Sequence, residues 1–257
     1  MSEHDERARI ETRVRELERE LDACMGFLGT VGHELRNPLS PIFMQAQHML
    51  DSARKESGGT VAADWLIGQL EALSDRLRKF ITMLNRITDV ARIGSGQLDL
   101  ELETVDFRDV VSEVVAGFER EALTARSTLR VNATDSISGT WDRMRLSQIV
   151  ANLVSNAVRY GAGKPIDVTL SATGEQARLE VRDHGIGIAR EDHERVFQRF
   201  ERAAQRRQTG GFGIGLWIVR ESCRAMGGSV ELESALGQGS RFIVRLPLQQ
   251  RTRHEHE

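Results

Sequence analysis

Apolar residues along the first ninety positions recur in alternating steps of four and three. Ile10, Val14, Leu17, Leu21, Cys24, Leu28 and Val31 form one such row, with Glu and Arg crowding the positions between them. The spacing is that of an a/d seam and predicts a helix that meets a partner helix, because so narrow an apolar stripe cannot cover itself in a monomer. The pattern continues through residues 33–53, where Pro38 and Pro41 predict a bend. Lys55-Glu56-Ser57-Gly58-Gly59-Thr60 then reads as a polar turn. Leu66, Leu70, Leu73, Leu77, Phe80, Leu84, Ile87 and Ala91 resume the seam on a second helix. Two seamed helices joined by a short turn make an αα-hairpin, and a twofold axis would double it into a four-helix bundle.

Gly94-Ser95-Gly96 breaks the second helix and reads as a hinge between domains. Beyond it the pattern alternates. Leu98–Glu103 and Thr128–Ala133 read as strands, and Asp106–Leu123 and Asp142–Tyr160 as helices. Ile166–Ala172 and Ala177–Arg182 alternate at period two around turn residues and read as paired strands. Gly213–Met226 reads as a helix, with Ser229–Ser234 and Arg241–Leu246 as closing strands. The expected fold is therefore α+β, a helical hairpin followed by an α/β sandwich with helices on one face of a sheet. Four segments follow: an N-terminal coiled-coil helix at 1–24, the hairpin at 25–93, the sandwich at 97–249 and a tail at 250–257.

Composition narrows the function classes. The chain has 257 residues, 40% of them hydrophobic and 28% charged, which is the ordinary mix of a folded protein with a sizeable core. The net charge is −3 and no block of Lys or Arg stands out, so nucleic acid is not an expected partner. No apolar run approaches the ~18 residues that cross a bilayer, and the acidic, Arg-rich start does not read as a secretory signal. Cys24 and Cys223 lack metal-ligand spacing and suggest no disulfide framework. A cytoplasmic location is expected.

Four local patterns carry candidate chemistry. Asp183-His184-Gly185-Ile186-Gly187-Ile188 follows a strand directly, where a tight turn brings backbone near a planar ligand and a carboxylate can accept from an exocyclic amine. Gly210-Gly211-Phe212-Gly213-Ile214-Gly215-Leu216 leads into a helix whose N-terminal amides suit phosphate. It lacks the βαβ context of a dinucleotide-binding fingerprint and the Gly-Lys-Ser/Thr of a P-loop. Gln148, Asn152 and Asn156 recur every four residues on one helix face, and their side-chain carbonyls are hard oxygens of the kind magnesium accepts beside phosphates. Finally, His33 is followed by Glu34, a carboxylate able to orient one ring nitrogen and leave the other as a nucleophile.

Together these runs resemble the two-component sensor histidine kinases. Phe27–Ile42, around His33-Glu34-Leu35-Arg36-Asn37-Pro38, is similar to that family's phosphoacceptor box, and Asn152–Tyr160 to its N-box. Asp183–Ile188 and Gly211–Gly215 resemble its two glycine boxes, and Val196–Phe200 the phenylalanine box between them. All five occur in family order. Gly32 departs mildly, since small polar residues are frequent before the histidine.

The resemblance implies an ATP-binding domain of the histidine kinase/gyrase type and a homodimer built on the hairpin. It implies that His33 accepts a phosphoryl group from Mg-ATP, with Glu34 as its base, and passes it to an aspartate on the receiver domain of a cognate response regulator. Asn37 would then help dephosphorylate that regulator. Asn156 would bind Mg2+, with Asn152 beside it. Arg159 would meet phosphate, Tyr160 would border adenine and Asp183 would accept from its amine. Gly185 and Gly187 would permit that approach. Residues 189–212 would form a lid anchored by Phe197 and Phe200, and Gly211, Gly213 and Gly215 would let it pack on the phosphates. An upstream sensor domain or protein is a further expected partner. A plain ATPase of the same fold and a scaffold without activity are the alternatives. Gln148, a poor base, argues against the first, and the presence of His33, Asn156 and Asp183 against the second.

Overall fold

The computed structural model describes residues 13–14, 35–54, 63–94, 99–201 and 213–249. Most of the first seam, His33, Glu34, the turn at 55–60, Gly211 and the tail from residue 250 lie outside the described residues. The chain divides into two compact units, with a boundary between Thr88 and Asp89.

In the first unit, helix α1 (residues 35–54) runs unbroken through Pro38 and Pro41. Each proline removes one amide donor but leaves the helix on both sides intact. The Ser40 hydroxyl donates to the Arg36 carbonyl at 3.0 Å. Helix α2 (Ala63–Gly94) lies antiparallel to α1. Three contacts fix that register. Gln45 Nε2 donates to the Gln69 carbonyl at 2.9 Å, Arg76 donates to the Pro41 carbonyl at 3.2 Å, and His48 meets Trp65 with ring centroids 5.9 Å apart. Four leucines of the α2 seam, Leu66, Leu70, Leu77 and Leu84, remain 38–49% exposed.

The second unit is a layer of helices on a twisted sheet. Its elements are β1 (Leu102–Asp106), α3 (Phe107–Gly117), α4 (Glu119–Thr124), β2 (Leu129–Asn132), β3 (Ser138–Asp142), α5 (Arg143–Tyr160), β4 (Ile166–Thr173), β5 (Gln176–Asp183), α6 (Gly215–Ala225), β6 (Ser229–Ala235) and β7 (Gly239–Pro247). Single 3-10 turns lie at Arg190–Asp192 and Arg195–Phe197. The five-stranded sheet has the order β2-β4-β5-β7-β6, with β2 parallel to β4 and the other pairs antiparallel.

The period-two pattern explains which face is covered. Ile166, Val168 and Leu170 of β4, Leu179 and Val181 of β5, and Phe242, Val244 and Leu246 of β7 are buried. Helix α5 packs on β5 between α3 and α6, contributing Leu146, Ile149, Val150, Leu153 and Val154 to the same core. The opposite sheet face is polar. Arg241 donates to Glu180 at 2.6 and 2.8 Å and to Glu233 at 2.8 Å, while Arg178 donates to Glu180 and Arg245 pairs with Glu231. On α6 the Cys223 thiol is fully buried, and burial pushes its pKa up to about 12.

Three elements differ from the sequence reading. The strand expected at Leu98–Glu103 forms instead at Leu102–Asp106. It pairs antiparallel with Ser138–Asp142, for which the sequence reading assigns no element. The helix expected over Asp106–Leu123 is two helices, interrupted at Phe118, whose backbone sits at φ −98°, ψ −2°. Asp142 closes α5 as its N-cap. One of its oxygens accepts the Arg145 amide at 2.9 Å and the other the Glu101 amide at 3.1 Å.

Candidate functional site

The four-residue spacing on α5 places Asn152 and Asn156 one turn apart. Asn152 is 97% buried, and among the described residues its Nδ2 has no hydrogen-bond partner. A buried amide donor without an acceptor costs ~1–3 kcal/mol, a cost that a water or a ligand at this position would offset. Its Oδ1 faces the first residue of α6: a Cβ added at Gly215 would lie 3.3 Å from it. The N-terminus of α6, where backbone N–H groups are unpaired and the helix dipole is positive, therefore opens beside the Asn152 amide. Asn156 is half-buried and Arg159, at the last turn, is exposed.

At the C-terminal end of α5, Tyr160 meets the loop that follows β5. The Tyr160 carbonyl accepts the Ile186 amide at 3.2 Å. Asp183, the last residue of β5, is buried, and its Oδ1 accepts the Gly185 amide at 2.8 Å, which closes an Asx turn. The carboxylate is thus aimed by its own loop.

The glycines of this loop answer to protein backbone. A Cβ on Gly185 would collide with the Tyr160 carbonyl, and one on Gly187 with the Ala235 carbonyl. Gly187 also has φ +69°, which favours glycine. The two glycines let the α5 terminus and the β6–β7 turn close on the loop. Gly213 has φ +65°, and Gly211 lies outside the described residues.

Residues 189–201 carry both phenylalanines of the expected lid anchor. Phe197 is buried edge-on against Phe242, with centroids 6.3 Å apart and an interplanar angle of 82°. Phe200 has φ +66°, a strained value for a non-glycine residue. The Arg199 guanidinium lies 5.2 Å from its ring centroid and 5.0 Å from that of Trp217 on α6, within cation–π range of both. No sequence signal singled out Arg199 or Trp217. Gln148 is engaged by Arg145, whose guanidinium donates to Gln148 Oε1 at 2.9 Å.

Among the described residues no group of three His, Cys, Asp or Glu side chains could hold a metal ion. The neutral amides of Asn152 and Asn156 suit Mg2+ where an anionic ligand supplies the remaining oxygens. No described helix is long and apolar enough to cross a membrane.

This arrangement of three helices on a mixed sheet, with paired amides on the central helix and a carboxylate at a strand end, defines a class. Residues 141–250 match the family of histidine kinase-, DNA gyrase B- and HSP90-like ATPases. The sensor-like histidine kinase SenX3 of Mycolicibacterium smegmatis is 31% identical over 224 residues, 86% of this chain and 56% of that protein. The sensor histidine kinase MtrB of Mycolicibacterium paratuberculosis is 30% identical over 251 residues, 96% of this chain and 43% of that protein. Full-length ShkA, solved in complex with AMPPNP, superposes with a TM-score of 0.58 at 28% identity, covering 87% of this chain and 46% of that one. Residues 141–250 thus carry the ATPase domain of that family, and over 86–96% of its length the chain is similar to two-component sensor histidine kinases. It spans about half the length of the curated relatives it matches.

Proposed function

We propose that this chain is the core of a sensor histidine kinase that phosphorylates itself on His33 from Mg-ATP and passes the phosphoryl group to an aspartate of a response regulator. The observation that carries the reading is the buried, unsatisfied Asn152 amide beside the α6 N-terminus, on the same helix whose last residue braces the Asp183 loop. Asn152, Asn156 and Arg159 would meet the phosphates and their Mg2+, while Tyr160 and Asp183 would hold the adenine. Mg2+, when bound there, would neutralise charge on the triphosphate.

The residues of this chain then divide the work. A ring nitrogen of His33 attacks the γ-phosphorus, the N–P bond forms as the P–O bond to ADP breaks, and Glu34 takes the imidazole proton. We assign residues 25–93 as the dimerisation and phosphoacceptor domain, fed by a coiled-coil helix at 1–24, and residues 97–249 as the catalytic domain, followed by a tail at 250–257. The exposed leucines of the α2 seam support a homodimer built on the hairpin. Asn37, exposed on α1 four residues after His33, would orient a water for dephosphorylating the regulator. A receiver-domain partner and an ATP supply point to work in the cytoplasm, under an upstream sensor. The plain ATPase reading gains nothing from Gln148, a neutral amide already held by Arg145.

Incubation with γ-labelled ATP tests the proposal. Acid-labile label should appear on the wild-type protein and be absent from His33→Gln, while both bind ATP alike. Release of free phosphate without labelled protein would overturn it in favour of an ATPase, and label on His33→Gln at wild-type levels would overturn the assignment of His33. Asp183→Asn should weaken ATP binding about tenfold, since an amide accepts poorly in place of a carboxylate.

A further inference from the structure

We infer that Ser234, on the strand next to the turn between β6 and β7, is a positioning residue for the nucleotide loop. The inference rests on the reading of Asp183–Ile188 as the adenine-binding loop. The Ser234 hydroxyl accepts the Ile188 amide at 2.8 Å and donates to the Gly239 carbonyl at 2.7 Å. It also lies 3.2 Å from the Ser240 hydroxyl. One side chain thus ties the end of the loop to both strands of the β6–β7 hairpin, 46 residues away in sequence.

The surrounding contacts show why this tie matters for Asp183. The Gly237 amide donates to the Ile186 carbonyl at 2.8 Å. Gly187 packs on the Ala235 carbonyl, and Gly239 packs on the Asp183 carbonyl and His184, so closely that neither position has room for a Cβ. The loop is therefore gripped on one side by Tyr160 and on the other by the hairpin turn. In the grip on the hairpin side, Ser234 supplies the side-chain hydroxyl that bonds the loop. Without it the Ile188 amide and the Gly239 carbonyl both lose a partner at a half-buried position, where such groups are costly to leave unmade. The hydrogen bonds of Ser234 go to Ile188, Gly239 and Ser240 and not to Asp183. Its effect is on where the Asp183 carboxylate stands, and so on ATP affinity rather than on the phosphoryl-transfer step.

The test is calorimetric titration of ATP into the full chain, with autophosphorylation followed at saturating ATP. Ser234→Ala should weaken ATP binding roughly three- to tenfold and raise KM equally, with kcat kept. Ser234→Thr, which keeps the hydroxyl, should bind like wild type, whereas Ser234→Val, of the same shape as threonine without the hydroxyl, should bind like the alanine variant. The Thr/Val pair gives the same reading if the alanine variant fails to fold. Equal ATP affinity in Thr and Val variants, or a fall in melting temperature with affinity unchanged, overturns the inference while leaving the kinase reading intact. A wild-type protein that binds no ATP overturns both.

Discussion

Gly185 and the carbonyl oxygen of Tyr160 approach so closely that no Cβ fits between them. This contact joins the end of α5, which carries the asparagines, to the loop that carries Asp183. Gly185→Ala should therefore push the loop from the helix end. Backbone is the obstacle, so the strain has no flexible side chain to relax into, and a loss of about 3 kcal/mol is expected. Urea titration of the two proteins measures it, and an unchanged midpoint would show that the loop yields freely.

If the proposed roles hold, Asn37 would separate two activities. Hydrolysis of an aspartyl phosphate needs an oriented water, and a side-chain amide can both donate to it and accept from it. Attack by the His33 imidazole needs none. Asn37→Ala should keep autophosphorylation and transfer but slow the loss of label from a phosphorylated regulator at least tenfold. If autophosphorylation and the loss of label fall together, Asn37 serves only the geometry of α1.

The exposed row on α2 predicts its own disruption. Leu70→Glu combined with Leu77→Glu places two carboxylates on the seam, and each would have to be desolvated in a bundle. Light scattering should report a dimer for the wild type and a monomer for the double variant, with ATP binding retained by the second unit. A double variant that stays dimeric places the interface elsewhere.

Glu180 makes the stability of the sheet depend on acid. Hydrogen bonds from Arg241, then from Arg178, hold its carboxyl below the usual carboxylate range against the opposing effect of burial. A depressed folded-state pKa adds stability above the unfolded value of ~4.3, and that stability is lost as pH falls through the folded value. Glu180→Gln should cost about 1–2 kcal/mol at pH 7. The gap to wild type should narrow steadily as the pH drops below about 4. Denaturant titrations at both pH values read this directly, and a gap that stays constant would rule out the charge as its source.

Much of the second unit could be read from periodicity. Helix α5 shows its apolar stripe through Leu146, Ile149, Leu153 and Val154, and β4 and β5 show period two, because in each case one face is buried throughout. The β1–β3 ribbon was legible only as a strand at Leu98–Glu103, misplaced along the chain and without its partner, for the opposite reason. Of β1 only Val105 is buried, so no alternation marks the strand. The break at Phe118 was hidden by apolar positions that continue across it. The glycines were legible as special positions, but not their cause: the carbonyls they avoid belong to Tyr160 and Ala235, and a contact between distant segments leaves no local trace. The same holds for Ser234, whose partners Ile188 and Gly239 lie on the loop and on the next strand.

Cys223 has a consequence for experiments on this protein. Its thiol is enclosed on α6, and burial holds it in the protonated form at any ordinary pH. Alkylating reagents react with the exposed thiolate, so modification has to wait until α6 leaves the sheet. The rate at which a maleimide marks Cys223 is therefore a clock for opening of the second unit. Addition of a molecule that binds only the closed form should slow that clock in proportion to the stability it adds.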